Sequence, residues 1–265
     1  MIETPESIKN YMNNGKVEMY QTGLNRQHCD LIPTPFKCII VGKTNSGKTH
    51  LLLRLLLGEG ILDYDTVHLI SNSCEQDKYM ILKQLFSHGL SKLAVRNIYD
   101  YLDFSKRIIE NINSFLDRIE KKDPIISFNC YRPTDPIPDP NQLDPELKHI
   151  VIFDDMMENK NQTIPKSYFT RGRHNNADCF YIAQNYLKVD RQSIRTNANL
   201  IIMFKQPKKD LQQFYSDYVQ IDIKDYKTFE DFCNRAWEDD YGYIIIEVAN
   251  RNKYRIGWDG FHNFI

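Results

Sequence analysis

Gly42-Lys43-Thr44-Asn45-Ser46-Gly47-Lys48-Thr49 carries glycine, lysine and threonine at the spacing G-x-x-x-x-G-K-[ST], that of a phosphate-binding loop. The glycines let the backbone turn so that successive N–H groups face inward and cradle a β-phosphate. Lys48 is spaced to reach the β- and γ-phosphates, and the Thr49 hydroxyl to bind Mg²⁺. A helix opening at this point adds the positive end of its dipole. The expected nucleotide contacts are Gly42, Lys43, Thr44, Asn45, Ser46, Gly47, Lys48, Thr49 and His50.

A second constellation complements the first. His149-Ile-Val-Ile-Phe-Asp154-Asp155 is a Walker B pattern, an apolar strand ending in acids. In phosphate-loop NTPases such an acid holds Mg²⁺ through water, the role expected of Asp154, and Asp155 is placed to polarise the attacking water. Cys179-Phe-Tyr-Ile-Ala-Gln184 is a strand ending in a neutral amide, which can position water against a γ-phosphate. Between them lies the cationic turn Thr170-Arg171-Gly172-Arg173-His174-Asn175-Asn176. An ordinary basic loop would account for that turn. The sharper reading is an arginine finger, Arg173, offered to a neighbouring subunit's nucleotide, with Arg195 as the fallback.

These residues need a frame of strands and helices. Phe36 to Val41 is a compact apolar run suited to a buried strand, and the leucines of Lys48 to Leu57 favour a helix. Further strands are expected at Thr66 to Ile70, Ile150 to Phe153, Cys179 to Ala183 and Leu200 to Phe204, the last two separated by a helical piece around Ser193. Helices are expected at Tyr79 to Phe86, Lys209 to Val219 and Asp225 to Trp237. The clearest runs from Ser105 to Lys121, with Ser105 as N-cap and apolar residues at helical spacing. Tyr243 to Val248 and Tyr254 to Trp258, joined through Asn250-Arg251-Asn252, read as a terminal hairpin. Residues 1–35 are polar and irregular and read as an arm, leaving 36–265 as one domain. Residues 123–145 hold six of the 11 prolines and read as a surface insertion. Strands alternating with helices give an α/β fold with a mostly parallel sheet.

Composition narrows the function. With 265 residues, 42% hydrophobic and 26% charged, the chain can build a core and is neither a disordered tail nor a coiled-coil rod. A net charge of −1 means that any nucleic-acid contact must be local. Lys166, Arg171, Arg173, Lys188, Arg191 and Arg195, followed by Lys205, Lys208 and Lys209, are the local candidates. No run approaches the length of a membrane span, and the acidic, proline-bearing start leads us to expect no secretory leader. The six cysteines are scattered without a Cys-x-x-Cys pair, so they read as small buried hydrophobes and not as metal ligands.

Taken together, GKTNSGKT, IVIFDD, TRGRHNN, YIAQNY and IRTNANLIIMF resemble, in that order, the viral genome-packaging ATPases of the FtsK–HerA superfamily. The branch is the poxvirus-type one, found also in giant viruses, virophages and virus-like transposons. The resemblance spans Phe36 to Phe204. It implies a RecA-like P-loop core with the Gln184 strand between the phosphate-loop and Walker B strands. It further implies a hexameric or other multimeric ring and ATP-driven movement of double-stranded DNA. Docking on a capsid or portal-vertex protein, and work in the host cytoplasm or viral factory, would follow. The chain departs from the wider superfamily at Asp155, where Glu is commoner, and the shorter side chain holds the water differently. A nucleotide-gated switch of the partitioning-ATPase type is the alternative, suggested by Lys43, although those proteins carry glycines where this chain has Thr44 and Asn45. A GTPase is disfavoured because Asn159-Lys160-Asn161 is followed by Gln162, not Asp.

Overall fold

The computed structural model describes residues 28–101, 108–159, 162–248, 253–258 and 260–262. Nine strands form one sheet in the order β3-β2-β4-β5-β1-β6-β7-β8-β9. Its parallel part comprises β1 (Lys37–Val41), β2 (Thr66–Ser71), β3 (Ser127–Tyr131), β4 (His149–Asp154), β5 (Ala177–Ala183) and β6 (Leu200–Phe204). An antiparallel extension follows, β7 (Tyr243–Glu247), β8 (Lys253–Ile256) and β9 (Gly260–His262). β1 lies between β5 and β6, and β5 lies between β1 and β4, the order the family resemblance implied for the Gln184 strand.

Alternation along β1 feeds two cores. Cys38 and Ile40 pack on one side of the sheet, Ile39 and Val41 on the other, and all four are fully buried. A strand buried on both faces must be apolar throughout, which is why KCIIV reads as a continuous run. The first face is covered by α1 (Lys48–Leu57), α2 (Asp77–Ser87), α3 (Lys92–Tyr101) and α4 (Ile108–Leu116). In α1, Leu51, Leu52, Leu53, Leu55, Leu56 and Leu57 are all buried, a gross gain of roughly 10 kcal/mol or more that holds this helix against β1. The second face is covered by α5 (Thr163–Arg171), α6 (Lys208–Phe214) and α7 (Tyr226–Ala236). A π-helical turn, Tyr215–Val219, continues α6, and Asp225 caps α7 by accepting from the N–H groups of Lys227 and Thr228.

Several expectations need correction. Residues 123–145 are not an insertion throughout, because Ser127–Tyr131 forms the edge strand β3, parallel to β2. The stretch from Ile126 to Tyr131 lacks proline, Ile126 and Phe128 are buried, and Pro124 and Pro133 fall just outside the pairing. Helices α3 and α5 and strand β9 were not expected. The helical piece near Ser193 is two short 3₁₀ turns, Tyr186–Lys188 and Arg195–Asn197. The long helix ends at Leu116, short of Lys121. Ser105, the arm as far as residue 27 and the Asn250-Arg251-Asn252 turn lie outside the described residues. Among the described residues no helix is long and apolar enough to cross a membrane.

Candidate active site

The phosphate-type loop leaves β1 at the carboxyl edge of the sheet. The Gly42 N–H donates to the Ala183 carbonyl at 3.1 Å, tying the loop to the end of β5. A Cβ on Gly42 would sit 2.5 Å from Ser46 Oγ and 2.7 Å from Phe204 Cβ, so only glycine fits. Gly47, at φ +99°, turns the chain into α1 and supplies no side-chain cap, leaving the first-turn N–H groups open to an anion. Asn45 is also left-handed, at φ 61°. Lys48 Nζ donates to the carbonyls of Gly42 at 2.6 Å and Lys43 at 2.7 Å, folding back over its own loop. Ser46 Oγ is enclosed without a hydrogen-bond partner. Phe204 and the exposed ring of Tyr241 flank Gly47.

Asp154 and Asp155 come off the end of β4, two strands away. Register aligns Asp154 with Ile182 on β5 and Val41 on β1 with Ala183, so the three strand tips are level within one residue. Asp155 takes a left-handed backbone, φ 55°. Its Oδ1 accepts from Gln184 Nε2 at 3.2 Å, and its carbonyl accepts from Asn72 Nδ2 at 3.2 Å. Tyr79, on α2, donates from its hydroxyl to Asp154 Oδ2 at 2.6 Å. Burial pushes the Asp154 pKa up, opposed by the Tyr79 hydrogen bond, while Asp155 raises it further and Lys48 lowers it. Burial lowers the Lys48 pKa against the pull of Asp154 and Asp155. The loop and the acids therefore share one electrostatic field. A cleft of ≈ 510 Å³ opens over them, lined among others by Lys43, Thr44, Asp155, Gln184, Asn185 and Lys188.

These groups fit a magnesium nucleotide. The glycine cradle and uncapped helix start suit phosphate, and the Thr49 hydroxyl with the Asp154 carboxylate is an all-oxygen donor pair of the kind a hard dication takes. Among the described residues no group of three or more His, Cys, Asp and Glu could hold a metal by itself. Shared ligation with substrate phosphates is the usual arrangement for Mg²⁺. His50 faces solvent on α1, outside the cleft lining. Partial burial, then Arg54 and Lys78, lower its pKa.

The arginines separate. Arg173 is exposed in a 3₁₀ turn before β5. It lies at the amino end of β5, and its own phosphate loop lies at the carboxyl end of the sheet. Arg195 does not fit an exposed finger. Its side chain is 9% exposed, donates to Asp217 Oδ2 at 2.9 Å and stacks over Tyr186 at 4.8 Å. A guanidinium in an apolar pocket needs such a partner, and this one is committed to it. The basic residues do not form one patch either. Lys166 pairs with Asp190 at 2.9 Å, Arg171 with Asp139 at 3.1 Å, Arg191 with Asp217 at 3.5 Å and Lys208 with Glu230 at 3.6 Å. Lys188, Lys205 and Lys209 remain exposed near the carboxyl edge. Sequence reasoning missed Tyr79 and Asn72 as site residues. Neither belongs to a motif: the β2–β4 pairing, Ser71 beside Asp154, brings Asn72 to Asp155, and the helix that follows β2 carries Tyr79 to Asp154.

No protein-family model matches the chain, and no curated protein matches it. Among solved structures, the genome packaging NTPase B204 from Sulfolobus turreted icosahedral virus 2, in complex with ATP-gammaS, is similar at 14% identity and a TM-score of 0.47. That alignment covers 88% of this chain and 100% of the other. VirB4 of Thermoanaerobacter pseudethanolicus is similar at 11% identity and a TM-score of 0.44, over 80% of this chain and 86% of that one. Likenesses of this size do not establish a shared fold. The architecture stands on the strand order and the loop geometry.

Proposed function

We propose that the chain is an ATP hydrolase whose turnover drives double-stranded DNA into a viral capsid. One observation supports the hydrolase most directly. At the level tips of three adjacent parallel strands, Asp155 and Gln184 line one cleft with the loop residues Lys43 and Thr44, and Lys48 and Asp154 lie in the same electrostatic field. Lys48 leaves its loop carbonyls and meets the γ-phosphate, where charge develops in the transition state. Gln184 spends an amide proton on Asp155 Oδ1, which leaves its own carbonyl oxygen and Asp155 Oδ2 as two adjacent acceptors. A water donating to both presents its lone pair away from them, toward phosphorus. Gln184 thus extends the reach of an aspartate that is shorter than the usual glutamate. Mg²⁺, held by Thr49 and through water by Asp154, would supply neutralisation of the β- and γ-phosphate oxygens.

The DNA half of the proposal is supported by the motif series from TRGRHNN to IRTNANLIIMF and by the exposed Lys188, Lys205 and Lys209 on the cleft side of the sheet. It carries with it a ring, probed through Arg173, a capsid or portal-vertex partner, and a place in the host cytoplasm or viral factory. ATP turnover measured with and without duplex DNA, with subunit stoichiometry in the same samples, tests it. A multimer stimulated by DNA is expected. Turnover indifferent to DNA, from a dimer closed over ATP through Lys43, would favour the partitioning-type switch instead.

A further inference from the structure

We infer that Tyr79 is a positioning residue for Asp154, fixing which carboxylate oxygen faces the cation. The inference rests on the reading of Asp154 as a Mg²⁺ ligand. Asp154 ends β4, and Tyr79 reaches it from α2, a separate element.

The phenol has one proton, and it is committed to Asp154 Oδ2, at 2.6 Å. The consequence is specific. Asp154 keeps Oδ1 for the cation's water shell because Oδ2 is held.

The phenol cannot easily drift. Its side chain is 1% exposed and packs in the larger core. The loop before α2 is tied down by the Cys74 thiol, whose single proton lies between the carbonyls of Ser71 at 3.3 Å and Tyr131 at 3.1 Å, and by the Arg132–Glu75 ion pair. Asn72 on the same loop holds the Asp155 carbonyl. The β2–α2 segment therefore grips both acids.

A core tyrosine that merely satisfies its hydroxyl would show the same contacts, so the test must read the metal. Tyr79→Phe keeps the ring and removes the donor. Mn²⁺ binding in the presence of AMPPCP, followed by electron paramagnetic resonance, is expected to weaken about 10- to 100-fold, the range typical of lost partners to ligating groups. Metal-free AMPPCP affinity and the melting curve should stay close to wild type. In an Asp154→Asn background, where the carboxylate is gone, Tyr79→Phe should add little. Unchanged Mn²⁺ affinity in Tyr79→Phe overturns the positioning role while the metal site stands. If wild-type protein binds AMPPCP no better with Mn²⁺ than without, the metal site itself falls, and this inference with it.

Discussion

The two ends of the parallel strands are built on opposite principles. At the amino ends, polar groups are paired and the chain is fastened. His28 donates to Asp178 at 2.8 Å, the Phe36 N–H donates to the same carboxylate at 2.7 Å, and Asn199 joins Lys37 N–H to the Pro35 carbonyl. At the carboxyl ends the backbone is left-handed at Asn45, Gly47 and Asp155, Ser46 Oγ has no partner, and Lys48 rests on its own loop. By contrast Asn176, left-handed at the amino end of β5, has its side chain tied to the Pro145 carbonyl. Strain and unmet hydrogen-bonding capacity persist only where the surroundings impose them, and they gather at sites that bind. One end holds the sheet together and the other is kept ready for a ligand.

That contrast can be broken or sharpened by substitution. The largest effect is expected from Lys48→Ala, which removes the phosphate-facing charge without opening a core cavity. Hydrolysis should fall to background in a steady-state assay, with a melting temperature within about 2 °C of wild type. A well-folded variant with normal turnover would reject the site.

Arg173→Ala comes next and strains the contrast hardest, because it places function at the fastened end. If Arg173 completes a neighbour's site, ATP binding should persist while hydrolysis drops roughly a thousandfold or more. Mixing with Lys48→Ala should restore part of the activity. Since Arg173 lies at the opposite end of the sheet from its own loop, absence of rescue in co-assembled mixtures would remove it from catalysis altogether.

Arg195→Met should cost stability instead. Breaking its buried pair with Asp217 is expected to lower unfolding free energy by about 3–5 kcal/mol in urea titration, with nucleotide affinity of the folded fraction unchanged. Arg171→Ala serves as the scale. Its pair with Asp139 is solvent-exposed and worth less than ~1 kcal/mol, so a larger loss would show that the amino end is more tightly coupled than its contacts indicate.

The carboxyl end of the sheet was largely legible in the sequence because its motifs are local. Loop, strand-end acids and Gln184 each announce themselves within a few residues, and buried parallel strands read as unbroken apolar runs. What escaped depended on distant partners. β3 was masked by its prolines, since edge pairing with β2 needs only five residues between them. Helix α3, by contrast, was legible and passed over: Ser91 accepts from the Ala94 N–H as a cap, and the buried Val95, Ile98 and Tyr99 recur at helical spacing. Helix α5 has Pro165 in its first turn, where a missing N–H costs nothing, although proline reads more readily as a breaker. Arg195 looked like a free arginine because nothing in its neighbourhood reveals Asp217, which a later helix brings beneath it.

The central position of β1 also fixes when the site can exist. β1 precedes the other strands of this sheet in the chain, yet both of its neighbours, β5 and β6, come well after it. At a synthesis rate of about 5–20 residues per second, the roughly 155 residues from Thr49 to Phe204 take about 8–30 s to emerge. Until then the loop has no Ala183 carbonyl to anchor Gly42 and no Phe204 behind its glycines. Pairings this distant in sequence form slowly even in the complete chain. The loop's residues are therefore written early and assembled last, and a nascent chain halted before residue 200 is expected to retain no ATP on a nucleotide resin, whereas one released after the sheet has closed should.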